Sequence, residues 1–555
     1  MYRVGVGVIV SVVVAAAFVL HAPPSAADEG WHSRWIAQSD YLTMQPGQTT
    51  TFWIKFRNTG TQTWTRGVWG QQVNLALNGD NKEPFRLGMA CNWLWDDRIA
   101  TTAEATVRPG EVGLFNFCVR APTVAGTYYL NLRPVVDGTT WLEDEGVFWV
   151  IVVAPRRIVS LVEVGGAVDA SRTGGNYYGY AALVRNESLT EAVTSVNVTF
   201  TLYDAAGTVL ATESASVSYL APQEFSGVGG YAILSNGRAL QVTRVSAVVG
   251  SYSWAWRAST GSGAMAFTGS AFLQDTYSWK ATATMRNPLR ETLSYLTVYA
   301  VGRDAAGRIV GGGAASASIV PAAASLGAEA TYHGNRPASV VLYATAMPSA
   351  SVALTPNRTV SIVEVGGARD ESGRLFSSGY GYGALVRNGS STESVRSVTV
   401  SFTFSDDAGT VLGTASDAID VLAPQEVSGV AGSALGLSSE LAARVTRVAA
   451  LVGATDRSWF ASTASGAFAF AGDALLTETY SVEATATMRS PHLEAFSYVT
   501  VYVVGRDAAG RIVGGGSTSA SAVPAGASLG VVASYYGRRP QTLTFYATAT
   551  NRSRF

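Results

Sequence analysis

The segment ACNWLWDDR, residues 90–98, gathers side chains suited to recognition. Trp93 and Trp95 are two residues apart, so in an extended segment both rings share a face. Asp96 and Asp97 follow directly. An aromatic pair beside carboxylates can stack on a sugar ring and bond its hydroxyls, or anchor a protein partner. The alternative folds both rings back over a hydrophobic core, with Cys91 pinning the loop. Trp93, Trp95, Asp96 and Asp97 are therefore the candidate ligand-binding residues.

Catalytic chemistry finds less support. Glu163 and Asp169 recur as Glu364 and Asp370, each pair bracketing the string GGA. A glycosidase needs two carboxylates in one cleft, whereas a glutamate alternating with valines in LVEVGG belongs on the solvent face of a strand. A hydrolase using Glu163 and Glu364 is the minor alternative. GASLG at Gly526–Gly530 matches G-x-S-x-G, but a nucleophile elbow needs a strand–turn–helix context and a histidine after the acid. No histidine follows His492, so Ser528 reads as a strand or turn residue. His32, His333 and His492 fall in three different domains without ligand-like neighbours, which disfavours zinc or histidine acid–base chemistry. The GGG strings at 311–313 and 514–516 lack the lysine and helix of a phosphate loop. The expectation is no catalytic residue, no metal and no cofactor.

The chain has 555 residues, 47% of them hydrophobic and 14% charged, with a formal net charge of −1. That balance gives no electrostatic footprint for nucleic acid or an anionic membrane surface. The first 27 residues carry Arg3, an apolar run from Val4 to Leu20, Pro-Pro, and the small residues Ser25, Ala26 and Ala27. This is the layout of a secretory signal peptide cleaved after Ala27, and no later run is long enough to span a bilayer. Export permits a disulfide between Cys91 and Cys118. It would close a loop of about 28 residues and contribute roughly 3–4 kcal/mol.

The elements that must position these residues repeat. DAAG occurs at Asp204–Gly207, Asp304–Gly307 and Asp507–Gly510, and DDAG at Asp406–Gly409. A second marker precedes each copy at Asn186, Asn287, Asn388 and Ser490, and a third follows at Pro222, Pro321, Pro424 and Pro524. Three markers in step through four copies mean four similar domains in series. The first and third copies share VEVGGA and LAPQE; the second and fourth share ATATMR and VGRDAAGRIVGGG. The unit duplicated last is therefore a two-domain pair. In VNVTFTLYD, Val196, Val198, Phe200 and Leu202 alternate with polar residues, a half-buried strand, and Asp-Ala-Ala-Gly supplies the turn to the next strand.

FTLYD at Phe200–Asp204, with YAALVRN before it and LAP after it, resembles the FxLYD domain, a small β-sandwich module of exported prokaryotic proteins. The third copy reads FTFSD, departing at two positions. The second and fourth read AVGRD and VVGRD, and their place in the series rests on spacing. The resemblance implies a fold and no activity.

Residues 31–153 hold nine of the 13 tryptophans and form a separate domain. TFWIKFRNTGTQTW gives an alternating strand (Phe52, Ile54, Phe56) and a turn. Short strands at such intervals indicate an immunoglobulin-like sandwich. WIKFRNTGTQTW, RPGE, APTVAGTYY and FWVIVV resemble the four-tryptophan (FW) domain of autophagy cargo receptors and bacterial proteins. Leu132 stands where that family has a further tryptophan. The resemblance implies a protein-binding module.

The expected architecture is thus all-β, with tandem immunoglobulin-like sandwiches: a signal peptide (1–27), an FW-like domain (28–154) and FxLYD-like repeats at 156–258, 259–354, 357–461 and 462–555. The expected function is a secreted or cell-surface binding or scaffold protein, non-enzymatic. The N-terminal domain recognises an envelope or extracellular protein or polysaccharide, and the repeats act as a stiff spacer with small interfaces. Carbohydrate binding through the Trp93/Trp95 loop is the alternative.

Overall fold

A computed structural model describes residues 30–549 except 155, 173, 251–255, 260, 276–277, 294–295, 318, 349–357, 372–378, 435, 454–457, 462–466 and 478–481. The signal-peptide expectation lies outside the described residues. The chain is all-β, as the alternating strings require, and divides into two compact units, residues 1–156 and 157–555. No described helix is long and apolar enough to cross a membrane.

The first unit is a sandwich. One sheet pairs Ser33–Gln38, Thr49–Asn58, Val112–Arg120 and Ala90–Cys91 in that order. The other runs Leu42–Met44, Val147–Val153, Gly126–Val136, Val73–Leu77 and Arg98–Thr101. Phe52, Ile54 and Phe56 alternate inward and meet Phe115, Phe117, Trp64 and Trp149, all buried. Cys91 lies opposite Cys118 across adjacent strands, and the two form the expected disulfide.

In the second unit each repeat has two layers. We name them front (first, second and fifth strands) and back (third, fourth and sixth). In repeat 1 the front sheet is Val159–Val168, Tyr177–Asn186 and Phe225–Ile233; the back is Glu191–Tyr203, Val209–Leu220 and Arg244–Val249. Repeat 3 has the same order. In repeat 2 a pairing of Gly311–Ala314 with Thr331–Gly334 joins front and back into one six-stranded sheet.

The sequence markers lie at or beside the turns of this fold. Asn186 is fully buried, and its Nδ2 donates to the carbonyls of Glu191, Leu220 and Ala221 (2.8–3.1 Å), tying the turn after the second strand to the end of the fourth. Asn287 and Asn388 make the equivalent three bonds. Asp204 Oδ1 accepts from the Ala206 and Thr208 amides, and Gly207 takes the positive φ (84°) that closes the hairpin.

The repeats do not meet through small interfaces. The front of repeat 1 packs on the back of repeat 2, the front of 2 on the back of 3, and the front of 3 on the back of 4. Alternation along a strand sorts residues onto two faces and leaves open what covers the outer one. Glycine makes the close approach possible. A Cβ on Gly165 would lie 2.4 Å from the Ile309 carbonyl oxygen, and one on Gly366 2.6 Å from that of Ile512.

Candidate functional site

The Trp93–Asp97 segment follows the short strand Ala90–Cys91 and is not extended: Asn92 takes φ 60° and the chain bends from there. The two rings therefore part. Trp93 packs against the sandwich core and its Nε1 donates to the Cys118 carbonyl at 2.7 Å, beside the disulfide. Trp95 is 55% exposed. A shared two-ring platform does not form, and only the Trp95 ring is open to a ligand.

The adjacent carboxylates have partners. Lys82 Nζ donates to Asp96 Oδ2 at 2.8 Å, an exposed pair that holds the Asp96 carboxyl below its ordinary value and raises the lysine. Arg98 bonds Asp137 (2.7 Å) and Asp80 (2.8 Å), with Asp97 3.1 Å away. Burial opposes the charge on Arg98, but the bonds to Asp137 and Asp80 outweigh it and its pKa is raised. Asp96 and Asp97 thus brace the loop through basic side chains.

A second surface was hidden in the sequence. On the outer face of the larger sheet, Phe148 stacks near Tyr41 (ring centroids 6.0 Å) and lies 6.4 Å from Tyr129. All three are exposed, Tyr129 at 58%, with Leu42 and Val152 also exposed. The strings YYL and VFWVIVV are apolar at nearly every position, so alternation could not separate the buried Leu130, Trp149 and Ile151 from the exposed Tyr129, Phe148 and Val152. An exposed apolar cluster of this kind marks a contact surface more readily than isolated residues do.

The carboxylates considered for hydrolysis stand in the joints between repeats. Glu163 is only partly exposed, because Arg303 of repeat 2 engages both its oxygens, Nη1 to Oε1 at 3.0 Å and Nη2 to Oε2 at 2.7 Å. Arg506 holds Glu364 in the same fork, with both bonds at 2.7 Å. His333 Nδ1 donates to Asp169 Oδ2 at 2.7 Å, both side chains being almost fully buried. Burial alone would raise the Asp169 pKa, but the bonds from His333 and Ser171 overcome it and hold the carboxyl low. His32 likewise bonds Glu143, at 2.6 Å. These partners are more than 100 residues from their histidines in the chain, so no spacing rule could find them.

Ser528 opens the strand Ser528–Ser534, with no helix after it. Among the described residues no cluster of three or more histidine, cysteine or acidic side chains could hold a metal ion.

No protein-family model and no curated protein matches the chain. Among solved structures, it is similar at 9% identity to Escherichia coli alpha-2-macroglobulin activated by porcine elastase, with a TM-score of 0.13 over 93% of this chain and 53% of that one. The native conformation of E. coli alpha-2-macroglobulin gives 9% identity and 0.14, over 95% and 38%. The trypsin-activated E. coli protein gives 10% and 0.13, over 94% and 41%. The chain thus spans about half the length of the first of these proteins and less of the others, and TM-scores of this size establish no common fold.

Proposed function

We propose that this chain is an exported, non-enzymatic binding and scaffold protein. The N-terminal sandwich is its recognition module and the four stacked repeats are its stiff body. The observation that carries this reading is the exposed aromatic face of Tyr41, Tyr129 and Phe148. Aromatic rings on the flat outer face of a sheet supply large, stiff contact area at low entropic cost, which suits a protein partner of the envelope or extracellular space. The signal-like leader, the Cys91–Cys118 disulfide and the resemblance to FW and FxLYD modules of exported bacterial proteins support the setting. The engagement of Glu163 and Glu364 by arginines supports a structural role for those carboxylates.

The test uses the whole mature chain as bait against envelope protein fractions, beside a Tyr129→Ser/Phe148→Ser variant. A protein captured by the wild type and lost in the variant supports the reading; capture equal in both refutes the assignment of this face. The exposure of Trp95 favours a second reading, carbohydrate binding at the Trp95 loop. Quenching of tryptophan fluorescence by a polysaccharide, abolished in Trp95→Ala, would select it.

A further inference from the structure

Each internal joint seats the front sheet of one repeat on the back sheet of the next, so the contact is head-to-tail and joins two different faces. Among the described residues of the four repeats, two faces of the same kind have no neighbouring repeat: the back of repeat 1 and the front of repeat 4.

The front of repeat 4 is built like the front of repeat 2. In repeat 2 the outward residues lie in rows across three strands: Leu273, Lys280 and Thr331; then Ala271, Thr282 and Glu329. Repeat 4 has Leu476, Glu483 and Ser534, then Ala474, Thr485 and Val532. Repeat 3 covers the first set. Leu273 joins the repeat 3 core, Thr282 Oγ1 donates to the Val411 carbonyl (2.6 Å) and the Gly327 amide donates to Thr403 Oγ1 (2.8 Å). Leu273 is 8% exposed and its counterpart Leu476 47%; Val532 is also half exposed. A Cβ on Gly327 would collide with Thr403, whereas one on Gly530, its counterpart, would meet nothing within 4 Å.

The back of repeat 1 matches the back of repeat 3 in the same way. Thr201 and Thr212 stand where Thr403 and Thr414 receive repeat 2. Val411 is buried in its joint at 2% exposure, while its counterpart Val209 is 52% exposed. Leu451 packs against the repeat 2 core, while its counterpart Val248 is exposed. Lys280 of the internal joint becomes Glu483, while the back sheet of repeat 1 carries the exposed Arg244 where that of repeat 3 carries Arg447.

We propose that the front face of repeat 4 binds the back face of repeat 1 of a second copy of this chain, so that the protein assembles head-to-tail. The joint between repeats 2 and 3 is the template: the same two sheet faces, the same threonine and glycine positions, and apolar residues that it buries left open at Leu476 and Val209. A heterologous contact of this kind adds copies without limit unless the rotation closes a ring.

The test is sedimentation velocity of the purified full mature chain over a concentration series, with Val532→Arg (front of repeat 4) and Val248→Glu (back of repeat 1). Species larger than a dimer should grow with concentration in the wild type. Each variant alone should stay monomeric. Their equimolar mixture should stop at a pair of chains, because each variant keeps one competent face. Both substituted positions are on the surface, so thermal unfolding should match the wild type; if either variant misfolds, Leu476→Glu or Val209→Glu replaces it. A wild type that is monomeric throughout overturns the proposal. A dimer that forms in the wild type and survives either substitution alone also overturns it. Neither outcome bears on the aromatic face of the first unit, which the bait experiment tests separately.

Discussion

Arg303 of repeat 2 grips Glu163 of repeat 1 with two parallel bonds, and Arg506 grips Glu364 identically one pair later. This ion pair follows the alternation of repeat types. VEVGGA, which supplies the glutamate and the glycines, occurs only in odd copies; VGRDAAG, which supplies the arginine, occurs only in even ones. At the joints between repeats 1 and 2 and between 3 and 4, the odd repeat thus supplies the carboxylate and the even one the guanidinium.

Both partners of each fork are partly exposed, so the pair is worth about 1 kcal/mol after solvent screening. A double-mutant cycle of Arg303→Met with Glu163→Gln, read by chemical denaturation of the second unit, should give a coupling of that order. A coupling of zero would mean the fork contributes alignment without stability.

Gly165→Val and Gly366→Val should each loosen one joint, since the new Cβ meets backbone that cannot swing aside. The expected loss is roughly 1–3 kcal/mol. Limited proteolysis should then cut between repeats 1 and 2, or between 3 and 4, sooner than in the wild type.

Lys280 sits almost fully buried between Asp275 and Glu329, 3.0 Å from each, and also donates to the Gly436 carbonyl of repeat 3. Burial disfavours its charge, yet the two carboxylates more than compensate and its pKa is raised. Lys280→Met removes the cation and leaves both acids in the joint. The expected cost is about 3–5 kcal/mol at neutral pH, measured as a lowered unfolding midpoint.

Asp169 predicts an acid limit. Its folded pKa lies below the ordinary 3.8, so its contribution is complete above that value and disappears as pH falls through the folded one. Between pH 5 and pH 2 the Tm of the wild type should fall more steeply than that of Asp169→Asn. Parallel slopes would show that other carboxylates set the acid limit.

The Asn186 clamp should be the most sensitive single position in repeat 1. Asn186→Ala strands three carbonyls beneath the surface, and a cost of about 3 kcal/mol follows. Asn388→Ala should behave alike in repeat 3.

Much of the fold was legible because it is written locally. Alternation in TFWIKF and VNVTFTLYD put Phe52, Phe56, Phe200 and Leu202 inside, where they are. The Asp-x-x-Gly strings gave the hairpins, and the Cys91–Cys118 pairing is present. The binding surfaces were less legible. Trp93 and Trp95 carry the same spacing whether the segment runs straight or bends at Asn92, and it bends. Tyr129 and Phe148 stand in strings too uniformly apolar to show their outward parity.

The sequence by itself determined the strands, the turns, the four-fold repeat and its odd–even pairing, since each follows from side-chain period, turn chemistry or spacing along the chain. Only the tertiary structure decided what covers the outer faces. AFTGSAFLQ and AFAGDALLT are nearly the same strand, yet Leu273 is buried and Leu476 is open. A period of two assigns a residue to one of two faces; whether that face meets water, an arginine fork or another sheet depends on its place in the stack.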